Sequence, residues 1–444
     1  MSPFARTQAT WRRLFSQAGF PFYFAGMFVS LFGTGLNFAG VTLYVLAETE
    51  STVQVSFTVI LLTLPRLIVP LFGGVLTDRV DRRYLGILLD LARAAIVLGA
   101  AALAGSGRLE LWQLYLMVLL LGAGFAVYWS SSLALLQEII PPRHLVGANA
   151  AVLVAVQGGM LAAGTLVGFI YDHAGLAAIL AINGATYGLS ALCFYRLRRG
   201  HAPPQGAADV RLPATPLAED ETEEAEPAIL APDTSEPTPA VLADFIEGLR
   251  YLRAQPSVLA LGLTYAVMMA GVISANVIVV ALAHDLLNAG ARGYGFLQAG
   301  WALGAVAGGL AASSVARRRP RGVLIAALMV LAAGHALFPF AGFLVVAVAM
   351  NILFGACRAV GAVLTQSSIL RMVPQHLMGR TQSAFAVMAT LLQIVMSLAL
   401  GWLAEHTSLE VAFVLLGLLY ATAVLAATRT RDLRAVREKR MAAN

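Results

Sequence analysis

Apolar runs of about 20 residues recur along nearly the whole of this 444-residue chain, and few folds accept them. As a helix rising ~1.5 Å per residue, each run is long enough to cross ~30 Å of hydrocarbon. The composition agrees. Hydrophobic residues make up 59% of the chain and charged residues only 12%, whereas a soluble chain carries about 25% charged residues. In lipid every backbone polar group must be satisfied internally, which leaves helices or a closed barrel. Runs of this length are helices. The sequence therefore predicts an all-α membrane protein with spans near 20–47, 53–77, 84–104, 111–137, 146–170, 176–196, 257–283, 293–316, 322–338, 341–371, 382–404 and 410–428.

The arginines test that map. When the connections are numbered alternately inside and outside, 25 of the 30 Lys and Arg residues fall inside. The outside loops hold only Arg108 and Arg292, while Arg66, Arg93 and Arg358 lie within spans. Such a bias predicts both termini in the cytoplasm of a cell (inner) membrane and an even number of spans. The net charge of +6 comes from these short inside loops, so it does not point to nucleic acid. Cys193 and Cys357 both lie in apolar runs, which argues against a disulfide framework or a zinc site. Residues 1–19 are polar and basic, and no cleavable signal peptide is expected.

Residues 200–240 break the pattern, with nine acidic residues, one arginine and many prolines. Such a stretch cannot bury apolar area and reads as a disordered cytoplasmic linker. It separates a first unit, 1–199, from a second, 241–444, each with six spans. Leu242, Phe245, Leu249 and Leu252 share one face of an amphipathic helix leading into the seventh span. The two units also resemble each other. GGVLTDRVDRR at 73–83 matches GGLAASSVARR at 308–318, with Ser313 where Asp78 stands. An offset of 233 pairs Gly122 with Gly355, Ala123 with Ala356 and Pro141 with Pro374. Parallel repeats of this kind are a transporter design, with the substrate site at their interface. Two pseudo-symmetric six-helix bundles are expected.

In GGVLTDRVDRR, small glycines allow close helix packing, and Asp78 then stands among Arg79, Arg82 and Arg83. Such a cluster can latch two halves, or it can be a loop of positive-inside charges. The stretch resembles the signature loop of the major facilitator superfamily at Gly74, Leu76, Asp78, Arg79, Arg82 and Arg83, with Asp81 where many members have glycine. DRVDRR, together with SLFGTGLNFAGVTLYVLAE, LPRLIVPLFGG and DFIEGLRYLRAQP, resembles the drug-exporter branch that includes macrolide efflux proteins and enterobactin exporters. GGMLAAGTLVG resembles the glycine-rich antiporter motif of span five but lacks its proline. The resemblance implies a proton-driven exporter whose spans one, four, seven and ten line the cavity.

Ionisable groups inside a membrane are costly and are functional candidates by default. Arg66 lies 12 residues before Asp78, roughly 18 Å along the second span, and Arg358 lies 16 residues before Pro374, roughly 24 Å from the same side. Two deep arginines with no deep acid nearby predict a positive cavity for an anionic substrate, unless each caps helix carbonyls or meets an unseen acid. Asn37, Tyr44, Phe125, Trp129, Asn276, Gln298, Trp301 and Asn351 are candidate cavity residues, though packing between helices explains any one of them equally well. Asp90 and Arg93, three apart, can pair on one face of span three. With Glu138 they are expected to join the cytoplasmic gate of Gly74, Asp78, Arg79, Asp81, Arg82 and Arg83. Asp90, Glu138 and His335 are the candidate proton carriers.

No HExxH, GxSxG, P-loop or CxxC pattern occurs where it could work, and no two histidines stand at metal-ligand spacing. Neither an enzyme nor a cofactor or metal is expected. The partners expected are a small-molecule substrate, protons and the lipid bilayer, with the chain a monomer. The leading expectation is an exporter of amphiphilic or anionic small molecules, drugs or siderophore-like compounds. An importer or lipid flippase on the same fold is the alternative. A receptor or scaffold without transport, worked by the acidic linker, is the third.

Overall fold

Local chemistry sets several helix ends. A computed structural model describes residues 14–17, 19–67, 69, 80–141, 144–197, 248, 250–315, 320–374 and 377–429. Helix α1 (Phe20–Thr49) opens with proline in its first turn and ends where Glu50 turns left-handed at φ 51°. Helix α2 (Thr52–Thr63) is capped by Ser51, whose side chain accepts from the Gln54 amide at 3.2 Å. Asp81 caps α3 (Arg82–Gly105), and a Glu110–Gln113 capping box opens α4 (Leu111–Ile139).

The next helical stretch, Leu145–Arg196, is 52 residues long. Straight, it would measure ~78 Å, more than twice the hydrocarbon thickness. It breaks at Gly175, where φ 66° and ψ −169° suit a residue without a Cβ. The two limbs, α5 (145–174) and α6 (176–196), run in opposite directions. Gly26, Gly33 and Gly40 of α1 face Cys193, Thr186 and Ile179, so α6 is antiparallel to α1. Phe28, Phe32 and Gly35 face Gly158, Gly159 and Ala163, so α5 is parallel to it. The fifth and sixth spans are thus two crossings, as the sequence predicts.

The second unit holds α7 (Pro256–Ala281, ending in a π-helical turn, Leu282–Leu286), α8 (Gly290–Val315) and α9 (Pro320–Leu337). It closes with α10 (Leu344–Met372), α11 (Met378–His406) and α12 (Leu409–Arg429). Ten helices among the described residues are long and apolar enough to cross a membrane. One of these is the doubled stretch, and the shorter apolar helix Thr52–Leu67 completes twelve crossings. The rest of the expected second span, the acidic linker and the first residues of the amphipathic helix lie outside the described residues. Leu252, at the end of that helix, is fully buried against Val258, Leu261 and Ile369.

The repeat is visible in the packing. Gly122 of α4 brings its backbone against the Leu62 carbonyl of α2, and its partner Gly355 of α10 lies against the Trp301 carbonyl of α8. Matched glycines make the matched contact, span four on span two and span ten on span eight. Large apolar side chains such as Leu88, Leu91, Val345 and Leu418 point outwards. Exposed Trp112, Trp402 and Phe343 stand at one end of the bundle, and Tyr84 and Tyr195 at the other, as aromatic belts do.

The two largest seams between the halves, among the described residues, lie at the end that carries few arginines. In the first, α5 meets α8. A Cβ on Gly168 would strike the Arg292 and Ala291 backbone, and one on Gly164 would lie 2.7 Å from the Ala299 nitrogen. Arg292 Nε pairs with Asp172 at 2.8 Å, and Phe169 meets Phe296 edge-on at 6.0 Å. The glycine-rich run of span five is therefore an inter-half contact even without its proline. In the second seam α2 meets α11. Thr52 Oγ1 donates to the Gly401 carbonyl and Ser56 Oγ to the Ser397 carbonyl, both at 2.7 Å and buried. At the rim, Glu405 accepts from Ser51 Oγ at 2.5 Å and from the Val53 amide at 3.0 Å.

Replacing Gly168 by leucine puts a side chain against backbone that cannot give way, at a cost of about 1–3 kcal/mol. The thermal unfolding midpoint in detergent is expected to fall, and Leu166→Gly, on an exposed position, serves as the control for local helix loss. An unchanged midpoint for Gly168→Leu would show that this seam is loose.

Candidate functional site

A cavity of about 1060 Å³ lies between the halves. Its wall takes in spans one, four, seven and ten, and also α2, α5, α6, α8, α9, α11 and α12. On α4 the lining reaches from Val118 to Leu133, on α5 from Asn149 to Gly164 and on α11 from Ala386 to Gln393. The cavity thus runs from mid-span towards the arginine-rich end, and the two seams close its far side.

The structure brings both deep arginines to this cavity. Arg66 of the second span lies with its Cζ 5.5 Å from the centre of the Phe125 ring, which stacks on Trp129 at 6.0 Å. Arg358 of α10 donates through one terminal nitrogen to the Met269 sulfur at 3.3 Å, and its buried Nε has no hydrogen-bond partner. Among the described residues no Asp or Glu lines the cavity. The wall therefore carries two formal positive charges without a counter-charge. Burying an unpaired charge is expensive, and a buried guanidinium that meets only a thioether is a group waiting for an acceptor.

The other expected lining residues fall in two groups. Asn37, Phe125, Trp129, Asn276, Gln298, Trp301 and Asn351 all line the cavity. Gln298 donates to Asn276 Oδ1 at 2.8 Å and to Tyr294 at 2.9 Å, while Asn351 donates to the Leu297 carbonyl at 2.7 Å. Asn37 Oδ1 is buried without a partner. Tyr44 is a correction. It stands two turns beyond Asn37, ~10 Å further along α1, and lines a separate cavity of about 360 Å³ with Glu48 and Leu109 at the arginine-poor end. Sequence reasoning missed Asn149, Gln157 and Gln393, which also line the cavity. On α5 the signal was present, because Asn149, Val152, Val156, Met160 and Gly164 recur at helical spacing on one face.

His335 lies on the cavity wall yet is only 6% exposed. Its ring stacks between Phe354 at 4.4 Å and Tyr420 at 5.1 Å, and Nδ1 sits 2.7 Å from the Leu331 carbonyl. A carbonyl only accepts, so Nδ1 carries the proton and the neutral ring keeps Nε2 as its acceptor.

The expected gate residues divide. Gly74, Asp78 and Arg79 lie outside the described residues. Asp81 accepts from the Arg83 amide at 3.0 Å and so caps α3. Arg82 pairs with Glu138 at 2.8 Å, tying α3 to α4. Arg83 donates to the Phe194 carbonyl at 2.8 Å and to the Tyr195 carbonyl, finishing the end of α6. Each of these contacts stays within the first half. Asp90 and Arg93 do pair, as their spacing predicts, but with each other in the interior and not with Arg82. Ser190 of α6 donates to Asp90 Oδ2 at 2.7 Å. Arg93 lies between the rings of Tyr128 and Tyr187, at 4.1 and 4.5 Å. Tyr187 lines the cavity and shares a hydrogen bond of 3.1 Å with Thr34 of α1, so the pair lies one layer behind the cavity wall.

Comparison with known proteins places this geometry. The model of the Major Facilitator Superfamily matches residues 23–286 and 261–442. The chain is 24% identical over 424 residues to YfiS, an uncharacterised MFS-type transporter of Bacillus subtilis (strain 168), covering 91% of each chain. Among solved structures it is similar to the nucleoside transporter NupG, with TM-score 0.66, 13% identity and coverage of 92% of this chain and 98% of that one. It is similar also to the POT family transporter PepTSo, with TM-score 0.65, 13% identity and coverage of 95% and 98%. At such identities these likenesses concern the fold.

Removing one partner of the buried pair tests its role. Asp90→Asn leaves Arg93 charged between two tyrosine rings, and loss of one partner of a buried pair costs about 3–5 kcal/mol. The unfolding midpoint is expected to drop sharply, and the double change Asp90→Asn with Arg93→Gln to recover part of it. Equal midpoints for the wild type and Asp90→Asn would mean that the pair is not structural.

Proposed function

The chain belongs to the Major Facilitator Superfamily, and from that premise we propose that it exports anionic, amphiphilic small molecules by alternating access. The observation that carries the reading is the central cavity, with two arginines, no carboxylate among its described lining residues, and aromatic walls. A guanidinium in an aromatic setting prefers a carboxylate or similar anion, which it can hold through two parallel hydrogen bonds. Trp129, Phe125, Trp301 and Phe38 offer flat apolar surface for the body of the ligand.

Export is supported by orientation and electrostatics together. The arginine bias assigns the arginine-rich end to the cytoplasm, so the cavity is loaded from inside. An inside-negative potential then expels an anion, at ~2.3 kcal/mol per charge per 100 mV. The resemblance to drug and siderophore exporters points the same way. Proton coupling is part of the proposal on that resemblance, with His335 as the titratable group on the cavity wall. The seams α2–α11 and α5–α8 are the surfaces that part when the cavity faces outwards.

The test is uptake of 8-anilinonaphthalene-1-sulfonate, an amphiphilic anion, by energised inside-out and right-side-out vesicles. Accumulation is expected in inside-out vesicles only, and the double change Arg66→Gln with Arg358→Gln, which leaves no cation on the described wall, is expected to lower it at least about tenfold, the loss of a charge-assisted contact worth about 1.5 kcal/mol or more. Accumulation confined to right-side-out vesicles would make the protein an importer. Activity that ignores the loss of both arginines would remove the anion site.

A further inference from the structure

We propose that the substrate is a divalent anion with a flat apolar body, held by Arg66 of the first half at one charge and by Arg358 of the second half at the other. The proposal rests on the anion reading above and names the class of anion.

The repeat supplies the first reason. Arg358 and Phe125 occupy equivalent positions in the two copies, 233 residues apart. Phe125 is the ring that Arg66 overlies, at 5.5 Å. The first half has no cation of its own at the position matching Arg358, yet Arg66, from a different helix, brings one there. The cavity therefore presents one guanidinium from each half, that of the first half lying over the ring at the position equivalent to Arg358. The second reason is charge balance. Arg358 finds only a thioether, and Arg66 only an aromatic face. A single anionic group neutralises half of this charge, and a ligand with two neutralises it all at a depth where net charge is costly. The third is the wall. Trp129 stacks beside Phe125 on one side and Trp301 lines the other, so the space between the cations suits a planar apolar core.

A ligand shifts a conformational equilibrium only by its difference in affinity between the states. One held by a single arginine gains nothing when the halves approach. One that spans both gains its second contact only as they close over it. The dianion is thus both the cargo and the agent that closes the arginine-rich end.

The full chain in nanodiscs provides the test, with naphthalene-2-carboxylate and naphthalene-2,6-dicarboxylate as probes of matched shape. The dicarboxylate is expected to bind at least about tenfold more tightly, the difference made by one added charge-assisted pair. Arg66→Gln or Arg358→Gln is expected to bring it to the level of the monocarboxylate, whose own affinity changes by less than about threefold because one arginine remains. Arg66→Lys and Arg358→Lys, which keep the charge, should retain most of the preference and control for misfolding. Spin labels at Tyr84→Cys and Val315→Cys, both exposed and on opposite halves, with Cys193 and Cys357 changed to serine, should approach each other with the dicarboxylate and not with the monocarboxylate. Equal affinity for the two probes, with each Gln variant weakening both alike, overturns the divalent site but leaves an anion carrier. Binding of neither probe, in wild type and variants alike, overturns both readings.

Discussion

Helices in hydrocarbon gain nothing by hiding from water, because lipid tails are as apolar as leucine. What holds them together is close packing, and close packing needs small residues where backbones meet. That constraint runs through this structure. Within each half, Gly122 on Leu62 and Gly355 on Trp301 bring two helices to backbone contact. Between the halves, Gly164, Gly168 and Gly295 do the same on the α5–α8 seam. Because the last three lie towards one end, the halves are drawn together there and stand apart elsewhere. The cavity is the space left where the glycines stop.

Within that frame, charge inside the membrane is treated in two ways. Asp90 and Arg93 are buried, paired, hydrogen-bonded by Ser190 and enclosed by two tyrosine rings. The two charges cancel within the protein, although Arg93 Nη1 is buried without a hydrogen-bond partner, and such a cluster fixes how α3, α4 and α6 fit. Arg66 and Arg358 have no such partners. Their cost of burial is not met by the chain, and the difference points to a ligand. Depth alone does not separate the two cases, since all four residues lie within spans. The partners do.

Hydropathy and the arginine bias made the twelve spans legible, because bilayer thickness acts on each run of residues separately. The duplication was legible for a similar reason, since glycines that allow the same contact recur at the same offset. Side-chain direction was less so. Tyr44 shares a helix with Asn37 but stands two turns beyond the cavity, and a residue's place along a span says little about where the space between halves ends. The charges of the signature loop and span three suggested one network, because they are close in sequence. Arg82 does meet Glu138, but Arg93 reaches inwards to Asp90, since the eleven residues between positions 82 and 93 are about three turns and set them ~16 Å apart along α3. Arg66 over Phe125 could not be read at all, because it joins residues 59 apart on two helices whose packing no local pattern specifies.

The α2–α11 seam is graded along its length. Its outermost contacts, Ser51 and the Val53 amide on Glu405, are exposed, whereas Thr52 on Gly401 and Ser56 on Ser397 are buried. Water can replace the first set as soon as it lets go, so releasing the rim leaves no polar group stranded. Once the rim is wet, solvent reaches the next rung, and each inner hydroxyl can exchange its carbonyl for water in turn. Such a joint unfastens from the outside inwards like a zip, and it reseals in the reverse order, with the carboxylate of Glu405 fastening last.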